Sequence, residues 1–287
     1  MIENLENKKV SAKSTLRVKD YFLTNEEFDL VPHSQYGFLK TQPQPKNLDR
    51  YYESENYISH TDSQKNWFDK LYQFLKNYNI RYKLNLLPKD TKTILDFGCG
   101  TGEFLAHAQK RNLTVFGIEP NPTALKIAQT KLGNNKIRDI GIEEISEQFD
   151  VITLWHVLEH IPDLENFIPE LISKLKPDGK LFIAVPNYQS YDASFYKNHW
   201  AAYDVPRHLW HFSPNSMQRL FSDFGMKIEK TYPLWLDSYY VSLLSEKYKK
   251  SQQPLGLLRA IVIGTISNLR GIRSKNYSSV IYEIGKK

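Results

Sequence analysis

Residues 93–102 read TILDFGCGTG, a short apolar run that ends in a loop with glycine at every second position, Gly98, Gly100 and Gly102. The next residues, EFLAHAQKR, have helical spacing, so the stretch predicts a strand, a tight turn and a helix. Glycines at such a turn let the main chain bend sharply and lie against a ligand, and ligands of open α/β sheets sit at the carboxyl ends of strands. Outward from the loop the alternation continues. TVFGIE (114–119) is a second strand, Pro122 to Leu132 a helix, KIRDI (136–140) a weaker third strand and FDVITLW (149–155) a fourth. A helix from about Leu164 to Leu175 and a turn at Pro177-Asp178-Gly179 lead into a fifth strand, KLFIAVP (180–186). Continuous apolar strands joined by helices imply a parallel sheet covered on both faces, an α/β, Rossmann-like fold.

Farther out, a helix near Pro214–Phe224, a strand near Met226–Tyr232 and a last β-branched run, SSVIYEI (278–284), complete the pattern. Before the loop, Trp67, Leu71, Phe74, Leu75 and Tyr78 recur at helical spacing between Ser63 and about Leu87, and Pro88 stops that helix. Residues 1–50 are polar and punctuated by Pro32, Pro43 and Pro45, and read as an irregular lead-in with one hairpin. The chain therefore divides into an extension over 1–60 and an α/β domain over 61–287, the latter interrupted by insertions at 187–212 and 234–277.

Glu119 ends the second strand, where a carboxylate can accept hydrogen bonds from both ribose hydroxyls of a nucleotide. Two nucleotide classes compete for the loop. Dinucleotide sites read G-x-G-x-x-G, whereas this loop reads G-x-G-x-G and has Glu103 where the third glycine would fall. A pyrophosphate would face Asp96 and Glu103, and like charges repel; a cationic sulfonium with its ammonium group suits Asp96. The acids favour S-adenosylmethionine over a dinucleotide.

Four successive motifs, ILDFGCGTG (94–102), VFGIEPN (115–121), FDVITLWHVLEHIPD (149–163) and LKPDGKLFIAVPN (175–187), resemble the class I S-adenosylmethionine-dependent methyltransferases. The resemblance implies a seven-stranded sheet with the last strand antiparallel beside the fifth. It implies that Asp96, Gly98, Cys99, Gly100, Thr101 and Gly102 border the methionine end of the cofactor, that Glu119, followed by Pro120, binds ribose, and that Trp155 and His156 border the cofactor after the fourth strand. The adenine-contacting residue falls near Asp139–Ile142, in no fixed register. The flanking blocks KDYFLTNEEFDL, LDRYYESENYISH (48–60) and HWAAYDVPRHLWHFSP (199–214) look like a bacterial subgroup, similar to the type 23 methyltransferases, that is associated with surface-glycan biosynthesis. Members of it often begin with a zinc ribbon of two Cys pairs. This chain has His33 and Tyr36 where the second pair would stand, and one imidazole cannot hold a structural zinc, so a metal-free ribbon remnant is expected.

Transfer to a hydroxyl needs alignment, exclusion of water and removal of a proton. His156, His160, His199, His208 and His211 cluster in sequence after the fourth and fifth strands. His156 and His208 are the leading candidates for the base, with Glu159 and His160 beside them. His156-x-x-Glu159-His160 also matches a metalloprotease string, a reading excluded by its place directly after a methyltransferase strand. Some quinone-ring and RNA 2′-O-methyltransferases of this fold hold a divalent metal with E-x-x-E-H here and a later His. By that likeness His156 would replace the first Glu, with His208 or His211 as fourth ligand, and imidazoles would favour zinc over magnesium. The favoured reading is metal-free, with Glu159 and His160 capping and orienting the loop. The aromatic insertion Tyr188–Phe212 reads as a pocket wall or lid.

Composition sets the outer bounds. The 287 residues are 24% charged and 41% hydrophobic, values of an ordinary soluble globular chain. The net charge of +6 is mixed with acids along the chain and is not a basic stripe, so nucleic-acid binding is not expected. Cys99 is the lone cysteine and the amino end has no apolar signal, which fits a cytoplasmic protein. Leu255–Leu269 is apolar around much of its circumference; a core helix or dimer contact is preferred to peripheral membrane contact, and the oligomeric state is left open. The leading expectation is O-methylation of a small polar or glycan-type acceptor. The alternatives are a quinone or lipid-linked acceptor at a membrane surface, and a non-catalytic S-adenosylmethionine-binding protein.

Overall fold

The computed structural model describes residues 15–52 and 67–287. At the amino end β1 (Leu16–Lys19), β2 (Glu27–Pro32) and β3 (Leu39–Gln42) form an antiparallel meander that buries Val18, Phe28 and Leu30. Two hairpins therefore stand where the sequence suggests one. Asp20 closes the first turn, its carboxylate accepting from the main-chain N–H groups of Phe22, Leu23 and Thr24 at 3.1, 3.2 and 2.9 Å. LRVK and EFDL alternate apolar and polar residues, but runs of four are too short to mark a strand against an irregular segment.

Helix α1 (Trp67–Leu86) follows, and the part of its expected start from Ser63 to Asn66 lies outside the described residues. It buries Ile80 and Leu84; Tyr78, expected on the apolar stripe, is 48% exposed. Pro88 comes two residues after its end, as proline disfavours helix in the residue before it.

The central unit runs β4 (Thr93–Phe97), α2 (Glu103–Gln109), β5 (Thr114–Ile118), α3 (Pro122–Leu132), β6 (Ile137–Arg138), β7 (Phe149–Trp155), α4 (Leu164–Ser173) and β8 (Leu175–Pro186). The expected turn at Pro177-Asp178-Gly179 is an irregularity inside β8: Leu175 pairs with Phe149 and Lys180 already with Val151. Beyond it come α5 (Tyr191–Tyr196), β9 (Trp210–His211), α6 (Pro214–Asp223), β10 (Met226–Pro233), α7 (Asp237–Tyr248), α8 (Leu255–Ser274) and β11 (Ser279–Lys286).

The seven-stranded sheet has the order β10-β11-β8-β7-β4-β5-β6. β11 is antiparallel to both neighbours, and β8, β7, β4, β5 and β6 pair in parallel, as the resemblance implies. Sequence order reverses between β4 and β7, which opens a crevice at their carboxyl ends. Ile94, Leu95, Val151 and Ile152 are wholly buried in these two strands. Helices α1, α2 and α3 cover one face with Ile80, Leu105 and Ala128, and α4 and α6 cover the other with Ile168, Leu171 and Phe221.

A third core joins segments the sequence separates. Val18, Phe28 and Leu30 of the extension pack with Trp200 and Tyr203 of the insertion and Ile263 of α8. The insertion also adds β9 to the amino-terminal sheet, pairing His211 with Leu39 and Trp210 with Lys40. Arg207 locks the joint: almost fully buried, it donates to Asp20 at 3.0 Å, to Asp204 at 2.6 and 2.9 Å, and to the Tyr51 carbonyl at 3.1 Å. The extension and the insertion thus share one core and one sheet. In the turn expected to be a ribbon remnant, His33 stacks on Tyr36 at 5.4 Å.

Candidate active site

The glycine loop folds back on β5, with Gly98 and Cys99 N–H both donating to the Ile118 carbonyl at 2.8 and 3.0 Å. Gly98, Gly100 and Gly102 hold φ of 74°, 55° and 75°, conformations that cost a side-chain-bearing residue energy. A Cβ on Gly98 would stand 2.6 Å from Val157 Cγ2, and one on Gly102 would stand 3.1 Å from Ala128 Cβ. One on Gly100 would meet nothing within 4 Å. Gly98 and Gly102 therefore serve close packing, whereas Gly100 fronts open space at the crevice.

Asp96 and Thr153 are register partners across β4 and β7, and the Thr153 hydroxyl donates to Asp96 at 2.6 Å. Burial, opposed by that bond and by the nearby Lys83 cation, pushes the Asp96 carboxyl up to about 7. Glu119 accepts from Gly100 N–H at 2.7 Å on one oxygen and from Asn121 N–H at 2.8 Å on the other, and each oxygen keeps a lone pair for a sugar hydroxyl. Burial raises its pKa against those two bonds, with Asp139 adding a like charge. Asn121 also caps α3, its side chain accepting from Thr123 and Ala124 N–H.

The other expected nucleotide-side residues take different places. Cys99 turns its thiol into the core beneath Gly117, and burial raises its pKa, so it offers main chain only. The Thr101 carbonyl accepts from Lys131 at 3.1 Å, and Pro120 is exposed. Trp155 packs edge-on against Phe104 at 5.2 Å with Lys83 4.4 Å from its ring centre. Glu103, weighed above as a charge facing the ligand, is instead paired with Lys131 and Lys76, so the electrostatic case rests on Asp96.

His156 leaves β7 in a left-handed conformation, φ 58°, its N–H held by the Ala184 carbonyl. Its ring lies between two carboxylates, Nδ1 3.4 Å from Glu159 and Nε2 3.1 Å from Asp237 at the start of α7. Burial pulls its pKa down, but the two acids outweigh burial and push it up to about 9. An imidazolium at neutral pH cannot accept a proton, so His156 is corrected from candidate base to a positioning cation that ties β7 to α7.

His160 and His208 meet edge to face at 4.7 Å. His160 Nδ1 lies 3.0 Å from the Arg207 carbonyl and 2.9 Å from the Tyr52 hydroxyl, and His208 Nδ1 lies 2.9 Å from the Ala202 carbonyl. A carbonyl only accepts, so both Nδ1 atoms carry hydrogen, and in the neutral rings it is Nε2 that holds the lone pair. Burial, with His208 alongside, lowers the His160 pKa to about 4. Glu159 is fully buried, and neither of its carboxylate oxygens has a hydrogen-bond partner among the described residues.

Glu159 contacts His156 of the loop through its side chain and Leu209 N–H through its carbonyl at 2.8 Å, and His160 bonds main chain. One ligand atom each from Glu159, His160 and His208 lie within 4.8 Å of one another. A buried carboxylate whose side-chain contact is the His156 ring at 3.4 Å, beside two imidazoles with anchored Nδ1–H groups, has the residue types of a divalent-ion site. Of the two later histidines considered, His208 joins the cluster; His211 points at the Thr41 hydroxyl at 2.9 Å, which itself donates to the His208 carbonyl at 2.7 Å. His199 stacks on Tyr21 instead, away from the cluster.

A cavity of about 980 Å³ opens over this cluster. His156, His160, His208 and Asp237 give its polar floor, and Phe22, Tyr240, Leu244 and Tyr248 are among its apolar and aromatic walls. Lys83, Asp237, Thr153 and Tyr52 were not singled out from sequence. Thr153 and Tyr52 lie within quoted motifs and Lys83 within the helix read from spacing, but nothing in the sequence marks these four side chains, and only the fold brings them to the crevice.

A family described as a methyltransferase domain matches residues 70–231, more than half of the chain. Over 159 residues the chain is 30% identical to the mitochondrial ubiquinone biosynthesis O-methyltransferase of Bos taurus, covering 50% of this chain and 43% of that one. Over 136 residues it is 28% identical to the ubiquinone biosynthesis O-methyltransferase of Acinetobacter baylyi, covering 42% and 57%. The matched stretches span about half the length of these relatives. Among solved structures, magnesium protoporphyrin IX methyltransferase from Synechocystis PCC 6803 superposes with a TM-score of 0.55 at 15% identity, covering 85% of this chain and 100% of that one, a likeness of fold.

Proposed function

Because the chain belongs to the class I S-adenosylmethionine-dependent methyltransferases, we propose that it transfers the methyl group to a ring hydroxyl of a quinone- or phenol-type acceptor. The observation that carries this reading is the cavity, whose aromatic and apolar walls stand over an imidazole-and-carboxylate floor. Such a lining suits an amphipathic ring with one reactive polar edge. The relatives at about 30% identity, named for ubiquinone biosynthesis, support the same class. A glycan-type acceptor, the leading expectation from sequence, fits these walls less well. The open face at Gly100 and the oriented Glu119 carboxylate support a chain that still binds its cofactor, against a non-catalytic role.

The acceptor oxygen attacks the methyl carbon in line with the carbon–sulfur bond; the sulfonium leaves as a neutral thioether, and the hydroxyl proton must be taken up. His208 is the candidate base, since its Nε2 lone pair faces the cavity floor and its Nδ1–H is fixed on Ala202. Glu159, His160 and His208 are also the residues that would hold a divalent ion; with His208 Nε2 then on the ion, acidifying the acceptor hydroxyl would be the ion's part in place of the His208 base. The walls exclude water from the transfer, and His156 holds α7, which supplies part of them, against β7.

The test is S-adenosylhomocysteine production by the full chain with a catechol or a hydroxyquinone, compared with hexoses and sugar nucleotides. Turnover with the ring compounds alone is expected. Turnover with the sugars alone would replace the proposal. His208→Ala should lower turnover at least ~100-fold, a typical contribution of a general base, with S-adenosylmethionine affinity nearly unchanged; equal losses in both would remove His208 from the chemistry.

A further inference from the structure

Helix α8 has two unlike faces. Inward it presents Gly256, Ala260, Gly264, Ser267 and Gly271, small residues that let it approach closely. A Cβ on Gly264 would stand 3.1 Å from the Tyr239 main chain in α7. Outward, Leu255, Leu258, Val262, Leu269 and Ile272 recur at spacings of three, four, seven and three residues and are 45–66% exposed, with Ile261 beside them at 49%. This apolar stripe runs the whole helix, about 30 Å at 1.5 Å per residue. Exposed apolar stripes of that length are rare on a soluble surface and mark a contact.

Charge identifies the contact. Counted by segment, the positive excess is not spread along the chain. Residues 238–275 contain seven Lys or Arg, and their one acid is Glu246, so this segment alone accounts for the chain's net charge of +6. Glu246 is buried and bonded to Arg259 at 2.7 and 2.6 Å, which leaves no acid on the surface of this segment. Lys247, Lys249, Lys250, Arg270, Arg273 and Lys275 are exposed around the stripe. A second copy of the chain would set cations against cations across a two-fold axis, where the same patch meets itself. An anionic lipid surface offers both an apolar layer for the stripe and phosphates for its flanks. With its inner face packed on the protein, α8 lies along a bilayer and does not cross it. Helix α7, which packs on α8, contributes Leu243 and Lys247 to the cavity wall.

We infer that the outer face of α8 docks this protein peripherally on anionic membranes, with the cavity beside the lipid surface. The test is flotation of the full chain with vesicles of phosphatidylcholine alone or mixed with phosphatidylglycerol. Binding to the mixed vesicles is expected, with weakening in high salt. Lys250→Ala and Arg273→Ala should each lower affinity about fivefold. Leu258→Glu with Leu269→Glu should lower it at least ~tenfold. Both positions are exposed, so thermal unfolding and S-adenosylmethionine binding of the variant should match the parent. Failure of the parent chain to bind the mixed vesicles, or binding equal on both lipids, overturns the inference without need of any variant. A dimer by light scattering that the same leucine substitutions dissociate, with no vesicle binding, overturns it in favour of a self-interface. Flotation uses neither cofactor nor acceptor, so its outcome is independent of the acceptor class proposed above.

Discussion

Asp96 makes cofactor binding a proton-linked event. Its carboxyl is held near pKa 7 in the free protein by burial, against the Thr153 bond and the Lys83 charge. A sulfonium and an ammonium bound at this end of the crevice favour the carboxylate, so binding must displace the proton wherever one is present. The sign follows: affinity rises with pH up to about 7 and is level above it. At pH 6 about one molecule in ten has Asp96 ionised, so apparent affinity should fall about tenfold, about 1.4 kcal/mol, with close to one proton released per molecule bound. At pH 8 release should approach zero. Calorimetry in buffers of different ionisation enthalpy measures the release directly. Asp96→Asn keeps an acceptor for Thr153 but has no proton to lose, so its release should vanish. Lys83→Met removes the opposing cation and should move the transition to higher pH. Release near zero at pH 6 in the parent chain, or undiminished release in Asp96→Asn, would refute the reasoning.

The glycine loop should separate binding from folding. Gly100→Ala meets nothing in the protein and should cost roughly 1–2 kcal/mol of stability from its left-handed backbone, yet abolish detectable S-adenosylmethionine binding in calorimetry; normal affinity would mean the ligand does not lie there. Arg207→Ala strands Asp20 and Asp204 and should destabilise by about 3–5 kcal/mol in denaturant unfolding; a loss below about 1 kcal/mol would show that the joint is not held by this cation. Protein purified without chelators should contain close to one equivalent of zinc by elemental analysis, and Glu159→Gln should remove it while S-adenosylmethionine still binds; metal-free protein with full turnover would separate the cluster from metal chemistry.

The geometry of the proposed nucleotide side was readable because its chemistry is local. Asp96, the three glycines and Glu119 all sit at the ends of adjacent strands, and the residue types that allow the turn are also the ones that serve the ligand. Strand bounds for β4 and β7 agree with the sequence to the residue, since both are mostly apolar and buried along their middles. The acceptor half was only partly readable. His156, Glu159, His160 and His208 were visible as residue types, but their roles depend on neighbours from other segments. Asp237 turns His156 into a fixed cation, and no spacing links it to the motif. The choice of His208 over His211 depends on Thr41, in a strand too short and polar to be predicted with register. Tyr78 misled because a helix of this length samples more than one stripe, and only packing decides which is buried.

These dependencies converge on the loop 202–208. His160 and His208 take their orientation from two of its carbonyls, Arg207 and Ala202, so whatever fixes the loop fixes both Nε2 lone pairs. Arg207 pins the loop to Asp20 of the β1–β2 turn, and Thr41 of β3 pins it through the His208 carbonyl and the Leu209 carbonyl. Tyr52, just past the same sheet, contacts His160 directly. Each of the three links begins in the amino-terminal extension and ends on an imidazole or on the loop that orients it. The extension therefore positions the imidazoles that the proposed function places on the acceptor side, whereas Asp96, the glycine loop and Glu119 stand on the central sheet.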